Sequence, residues 1–208
     1  NALPEVRQLG IAEVLAQPDD ENMGLGKTVS QVHPGRQQQI AALTRMHGPD
    51  GGDDFLAVID NPQGSARGPA FIGIPGGHEF TSLVLAILNA DGKGKLPDAM
   101  LTARIRRLAG PIRLRTIVSL SCENCPEVVQ ALNLMAILHP DFEHEMADGE
   151  FIPVEVARLG IQGVPSVVRD AKLVSAGKAG LLDLLEKLEK EFGASMDAPV
   201  APQDLGAF

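Results

Sequence analysis

The clearest alternation of apolar and polar positions begins near residue 112. Leu114-Arg115-Thr116-Ile117-Val118-Ser119-Leu120 reads as a strand, and Val128, Val129, Leu132, Met135 and Leu138 then recur at helical spacing. Phe142, His144 and Met146 alternate with polar residues as far as Asp148-Gly149, which predicts a second strand and a turn. Pro153 suits a first helical turn, where its missing N–H costs nothing, and Gly160 suits the end of a short helix. Val164-Pro165-Ser166-Val167-Val168 predicts a third strand, followed by a turn at Asp170 and a fourth strand from Lys172 to Ser175. A strongly amphipathic helix closes the run, with Leu181, Leu182, Leu184, Leu185, Leu188 and Phe192 on one face and Asp183, Glu186, Lys187, Glu189 and Lys190 on the other.

Before residue 112 the pattern is looser. Val6 to Leu15 and Gln37 to Met46 read as helices, Phe55 to Ile59 as a strand closed by Asn61-Pro62, and Pro69 to Ile74 as another strand. Leu83, Val84, Ala86, Ile87 and Leu88 then form a helix with few polar positions, which predicts a largely buried element. No clean strand is legible around Glu21 to His33. Two strands and a closing helix echo the end of the later part without its cysteines, which predicts a degenerate internal repeat. From Ala194 to Phe208 the Pro, Ala, Gly and acidic residues make a linker with nothing to bury.

The later succession, β-α-β-α-β-β-α, is that of a thioredoxin-like domain. The expected fold class is therefore α/β: residues 105–193 form a thioredoxin-like module carrying the cysteines, residues 1–104 a degenerate repeat without them, and residues 194–208 a linker. A length of 208 residues accommodates two small domains. The formal charge of −9 argues against a nucleic-acid or anionic-membrane surface, and the absence of Trp and Tyr removes the usual stacking platforms for bases. No apolar run approaches the ~20 residues that span a bilayer, and no secretory signal pattern opens the chain.

The candidate chemistry is Ser121-Cys122-Glu123-Asn124-Cys125-Pro126, which holds the only two cysteines. With no other cysteine to staple loops, the pair reads as redox-active, and the chain is placed in a reducing cytoplasm. At a strand-to-helix junction the unpaired N–H groups of the helix start favour a thiolate. Cys122 is then the nucleophile and Cys125, one turn further in, the resolving thiol. Glu123 opposes the thiolate, which points toward a reductant near about −270 mV rather than an oxidant near about −120 mV. Pro165 is either an ordinary strand-entry proline or, as the thioredoxin-like order favours, a cis peptide facing the dithiol. A cis Val164-Pro165 bond would leave the Val164 backbone free to dock a partner's extended chain.

Two other constellations fail on context. Cys122, Cys125, His139 and His144 have a spacing close to a two-Cys, two-His zinc site, but the predicted helix lies between the pairs and His144 falls in a strand. Gly24-Leu25-Gly26-Lys27-Thr28 resembles a phosphate loop, yet Glu21 stands where that pattern requires Gly and no strand precedes it. His33, His47 and His78 form no ligand-spaced cluster and read as solvated.

The segments Gly76-Gly77-His78-Glu79-Phe80-Thr81-Ser82-Leu83-Val84-Leu85-Ala86 and Cys122-Glu123-Asn124-Cys125-Pro126-Glu127-Val128-Val129-Gln130-Ala131-Leu132-Asn133-Leu134-Met135, with Gly163-Val164-Pro165, closely resemble the N-terminal domain of the F component of alkyl hydroperoxide reductase. The resemblance runs over residues 68 to 192. It implies two tandem thioredoxin-like modules, of which only the second carries a dithiol, and an electron relay in which a flavin- and NAD(P)H-binding reductase part reduces this dithiol, and the dithiol reduces the disulfide of the system's peroxiredoxin, the C component. FAD and NAD(P)H would sit outside this chain, because no G-x-G-x-x-G follows a strand here. Residues 194–208 would lead to that flavoprotein domain, through which the full-length protein could dimerise. The resemblance also implies that Glu79, otherwise a first-turn acid facing a helix dipole, is a buried carboxylate that moves protons near the dithiol. The alternatives are a non-catalytic docking module, with its acidic surface and β edge, or a zinc-binding domain.

Overall fold

The computed structural model describes residues 41–47, 53–60 and 67–195. The readings over Val6 to Leu15, Glu21 to His33, Gly24 to Thr28 and residues 196–208 lie outside the described residues. Among the described residues, seven strands form one sheet: β1 (Ala41–His47), β2 (Asp53–Asp60), β3 (Arg67–Ile72), β4 (Ile112–Val118), β5 (Phe142–Asp148), β6 (Ser166–Arg169) and β7 (Lys172–Ala176). Five helices accompany them there: α1 (Phe80–Ala90), α2 (Ala99–Arg106), α3 (Cys125–Leu138), α4 (Pro153–Leu159) and α5 (Leu181–Phe192), with a 3-10 turn at Gly77–Glu79 before α1.

The spatial order is β1-β2-β3-β5-β4-β6-β7. The pairs β3–β5 and β4–β5 are parallel and the other neighbours antiparallel. Parallel strands end at the same pole, so the loops leaving β3, β4 and β5 converge there, joined by the loop that enters antiparallel β6. Alternation along each strand then sorts side chains by face. Ile112, Leu114, Thr116 and Val118 of β4 share a face with Phe142, His144 and Met146 of β5, all buried, and α3 lies over them between α1 and α5. The opposite face is charged. Arg113 faces Glu143 and Arg115 faces Glu145 in register, and each pair forms a salt bridge. Arg115 also pairs with Glu155, which holds α4 against that face.

The structure departs from the sequence-based expectations at defined places. Where a helix is predicted over Gln37 to Met46, residues 41–47 form β1, in full antiparallel register with β2 from Ala41 opposite Ile59 to His47 opposite Asp53. The open edge of β2 outweighs the weak helical propensity of this short apolar run. α1 is not largely buried: Ser82, Ala86 and Ala90 are buried, whereas Phe80 and Val84 are exposed. The stripe it buries, at i, i+4 and i+8, is the small one, because small residues let α1 approach α3 closely. Leu182 of α5 is likewise exposed, leaving Leu184, Leu185 and Leu188 to fill the core side. β3 ends at Ile72 rather than Ile74, where the chain bends at Gly73, and β4 ends at Val118. α2 has no counterpart in the sequence pattern; Asp98 caps it by accepting from the Leu101 N–H at 2.8 Å, and it runs across residues 104 and 105. Ala194, assigned to the linker, forms an isolated bridge with Leu108, and the Ser195 N–H donates to the Arg107 carbonyl.

Candidate redox site

Cys122 lies in the loop after β4 and Cys125 is the first residue of α3, and a disulfide joins them across a Cα separation of 5.5 Å. Their environments differ. Cys125 is fully buried among Val118, Val129 and Met146, while Cys122 is half-buried at the rim. The loop is held by its own backbone, the Cys122 N–H donating to the Ser119 carbonyl at 2.9 Å. Pro126 occupies the first turn of α3, where no N–H is needed. A helix start carries N–H groups without intrahelical acceptors, and Cys125 stands at that start.

The loop before β6 forms the opposite wall. The Val164-Pro165 peptide is cis, Pro165 is buried, and the Val164 carbonyl stands 3.8 Å from the Cys122 sulfur. Among the described residues the Val164 N–H and C=O enter no backbone hydrogen bond. Val164 therefore offers one donor and one acceptor beside the outer sulfur, the complement of an extended peptide.

A third wall comes from the 3-10 turn ahead of α1. The His78 N–H donates to the Leu120 carbonyl at 3.1 Å, two residues before Cys122. Gly77 has φ +52, and a Cβ there would collide with the Leu120 carbonyl, so this close approach requires glycine. Glu79 follows, fully buried, in a turn that packs on α3. Burial pushes its carboxyl above the usual carboxylate range; Ser82 and His78 pull the other way, yet neither carboxyl oxygen meets a hydrogen-bond partner among the described residues. Sequence reasoning missed two polar neighbours, Ser82 on α1 and Gln130 on α3, which share a hydrogen bond of 3.3 Å. Their signal was available, since each is a polar residue inside an apolar helical run.

The zinc-like spacing is resolved differently. His139 donates from Nε2 to the Leu108 carbonyl and accepts the Asp141 N–H at Nδ1. His144, in β5, donates from Nδ1 to Asn133 Oδ1 at 2.6 Å and accepts from the Thr116 hydroxyl at 2.8 Å, and burial holds its imidazole at about 3. Both rings are thus committed, and among the described residues no group of three or more His, Cys, Asp or Glu is placed to hold a metal ion. His78 is exposed, His47 ends β1, and His33 lies outside the described residues. Among the described residues no helix is long and apolar enough to cross a membrane.

Comparison with known proteins agrees with this geometry. The thioredoxin domain family model matches residues 115–190. The F component of alkyl hydroperoxide reductase from Pseudomonas putida is 44% identical over 124 residues, covering 60% of this chain and 24% of that protein. A Bacillus subtilis (strain 168) protein named NADH dehydrogenase is 38% identical over 145 residues, covering 70% of this chain and 28% of that protein. The chain thus spans about a quarter of the length of these curated relatives. Among solved structures, the NTD_N/C domain of alkylhydroperoxide reductase AhpF from Enterococcus faecalis (V583) superposes with a TM-score of 0.59 at 33% identity, covering 64% of each chain.

Proposed function

We propose that this chain, a homologue of the N-terminal domain of AhpF with a thioredoxin domain, relays electrons from a flavoprotein to a peroxiredoxin disulfide. The observation that carries the proposal is the asymmetry of the disulfide: one sulfur at the rim beside the Val164 carbonyl, the other sealed in the core. In the reduced state the Cys122 thiolate attacks a partner disulfide, forming a mixed disulfide and releasing one partner thiolate, which takes up a proton. The Cys125 thiolate then attacks the Cys122 sulfur, closing the internal disulfide and releasing the second partner thiol. Two electrons pass to the partner in each cycle, and a reductase domain bearing FAD and using NAD(P)H returns them. The names of the relatives, one an NADH dehydrogenase, support that source.

The same reading assigns Val164 and Pro165 to docking of the partner's extended chain. It assigns Glu79 to proton transfer, since a carboxyl that stays protonated to higher pH can supply a proton to a leaving thiolate. The first half of the chain is read as a reduced copy of the dithiol module. In support, β2, β3 and α1 repeat the order β6, β7 and α5, and β1 lies antiparallel to β2 as β4 does to β6. Such a relay works in the cytoplasm, where its thiols are kept reduced.

The test is trapping. Cys125→Ser should accumulate a mixed disulfide between Cys122 and a peroxiredoxin cysteine, because nothing remains to resolve it, and Cys122→Ser should accumulate almost none. Equal capture by both variants on a non-reducing gel would reverse the assignment of attacking and resolving sulfur. Capture of no peroxiredoxin by either would remove the proposed substrate.

A further inference from the structure

Three successive carbonyls lead from the end of β4 into the redox loop, and each is held by a different partner. The Val118 carbonyl accepts from the Gly149 N–H at 2.9 Å, across the loop after β5. The Ser119 carbonyl accepts from the Cys122 N–H at 2.9 Å, which closes the loop on itself. The Leu120 carbonyl accepts from the His78 N–H at 3.1 Å, and this third partner belongs to the half of the chain without cysteines. The contact is made by backbone alone: the His78 side chain is exposed, and Gly77 before it, at φ +52, has no room for a Cβ against the Leu120 carbonyl. The turn that offers the N–H is itself seated. Gly77–Glu79 packs on α3, Glu79 is fully buried, and α1 continues from it along a seam with α3 that the Ser82–Gln130 hydrogen bond crosses at 3.3 Å. The same helix, α3, carries Cys125 as its first residue. The turn therefore reaches from the helix that fixes one sulfur to the loop that fixes the other.

We infer that Gly77 and His78 are positioning residues for the dithiol: through the His78 backbone N–H they hold the Cys122 loop in place against Cys125 after the disulfide opens. The inference rests on the dithiol chemistry of the proposed function and not on its partner. Its physical content is preorganisation. A closed disulfide constrains Cys122 by itself, whereas in the reduced chain the loop's hydrogen bonds must do so, and any freedom the reduced loop gains is given up again when the bond re-forms. Losing the His78–Leu120 bond therefore favours the reduced state and slows the attack of Cys125 on a mixed disulfide at Cys122. The cysteine-free half thus acts on the redox step through one backbone contact.

The experiment equilibrates the full chain with mixtures of reduced and oxidised glutathione. Cys122 and Cys125 each lose a thiol proton and one electron, and oxidised glutathione leaves as two thiols. Gly77→Ala, which pushes the Leu120 carbonyl away, should lower the equilibrium constant for forming the internal disulfide about three- to tenfold, the range that one backbone hydrogen bond supports. His78→Pro, which deletes the donor in a first turn where proline is tolerated, should lower it by a similar factor. Both should also accumulate a glutathione mixed disulfide at Cys122 that the parent chain resolves. Gly76→Ala is the matched control, since its φ is −95 and a Cβ there meets nothing nearer than 3.8 Å; it should leave the constant unchanged. An unmoved constant in Gly77→Ala and His78→Pro overturns the inference, and so does an equal shift in Gly76→Ala. The parent chain gives a reading that no misfolded variant can obscure. Its His78 amide should be protected from hydrogen exchange when reduced as when oxidised, and exchange at the unprotected rate after reduction overturns the inference. Glutathione stands in for any partner, so failure to reduce a peroxiredoxin would leave this assignment standing, and loss of this assignment would leave that substrate standing.

Discussion

Two apolar clusters share the helix-covered face of the sheet, and they are built from differently sized parts. On the α5 side, Ile112, Leu114 and Phe142 meet Leu132 and Met135 of α3 and Leu184, Leu185 and Leu188 of α5. On the α1 side, Val118 and Met146 meet Cys125, Val129 and Ile137 of α3, with Ile59, Phe71, Ala86 and Ala90 completing the cluster. The same face carries a buried polar group, Thr116, His144 and Asn133, one residue each from β4, β5 and α3, joined by hydrogen bonds. Large branched side chains hold α5 through buried area. Small ones hold α1 through close approach, and that closeness brings Ser82 within hydrogen-bond reach of Gln130 on the dithiol helix. The first cluster thus supplies stability in bulk, whereas the second gives up some of that bulk to admit polar groups.

Truncation and enlargement should therefore hurt the two clusters in opposite ways. The largest expected effect is at the α5 side: Leu185→Ala leaves a cavity in a site with no exposure and should cost about 2–5 kcal/mol by denaturant unfolding, with disulfide exchange in the surviving folded fraction unchanged. A cost no larger than that of a surface substitution would show that this cluster repacks freely.

The buried polar group offers the next effect, through pH. The folded-state value for His144, about 3, lies below the ordinary 6.5, so between these values the unfolded chain binds a proton that the folded chain does not. Its contribution is complete above about 6.5 and is lost as pH falls toward about 3, at about 1.4 kcal/mol per pH unit. His144→Gln keeps a polar side chain without that titration, and unfolding midpoints measured across this range should fall less steeply than in the parent chain. Equal slopes would place the acid sensitivity elsewhere.

On the α1 side the sensitivity should be to added volume. Ala86→Leu pushes α1 off α3 and should cost about 1–3 kcal/mol, less than the cavity at Leu185, while also perturbing the Glu79 titration because the seam opens. Destabilisation without any change at Glu79 would separate the packing of α1 from its chemistry.

Much of this is legible without the structure. The order of elements from residue 112 onward follows from strands that alternate at period two and helices whose apolar positions recur at 3.6, patterns set by local geometry. The cysteine pair stands out by its spacing at a strand-to-helix junction, and the amphipathic α5 by its charged face. The first half is harder for a physical reason: β1 is a short run whose residues suit helix or strand alike, and only pairing with β2 decides between them. α1 misleads similarly, because its apolar positions run all round and composition does not say that the small stripe is the buried one.

The sequence by itself determined which residues can do chemistry, the succession of elements around them and the presence of a dithiol at a helix start, since these depend on interactions among near neighbours. Only the tertiary structure decided that Cys122 is half-exposed and Cys125 sealed, that the Val164 carbonyl faces the outer sulfur, that Glu79 is buried, and that Ser82 of α1 meets Gln130 of α3. Those placements depend on contacts between segments distant in the chain, on the parallel ordering that gathers loops at one pole, and on a glycine at position 77 that lets two backbones touch.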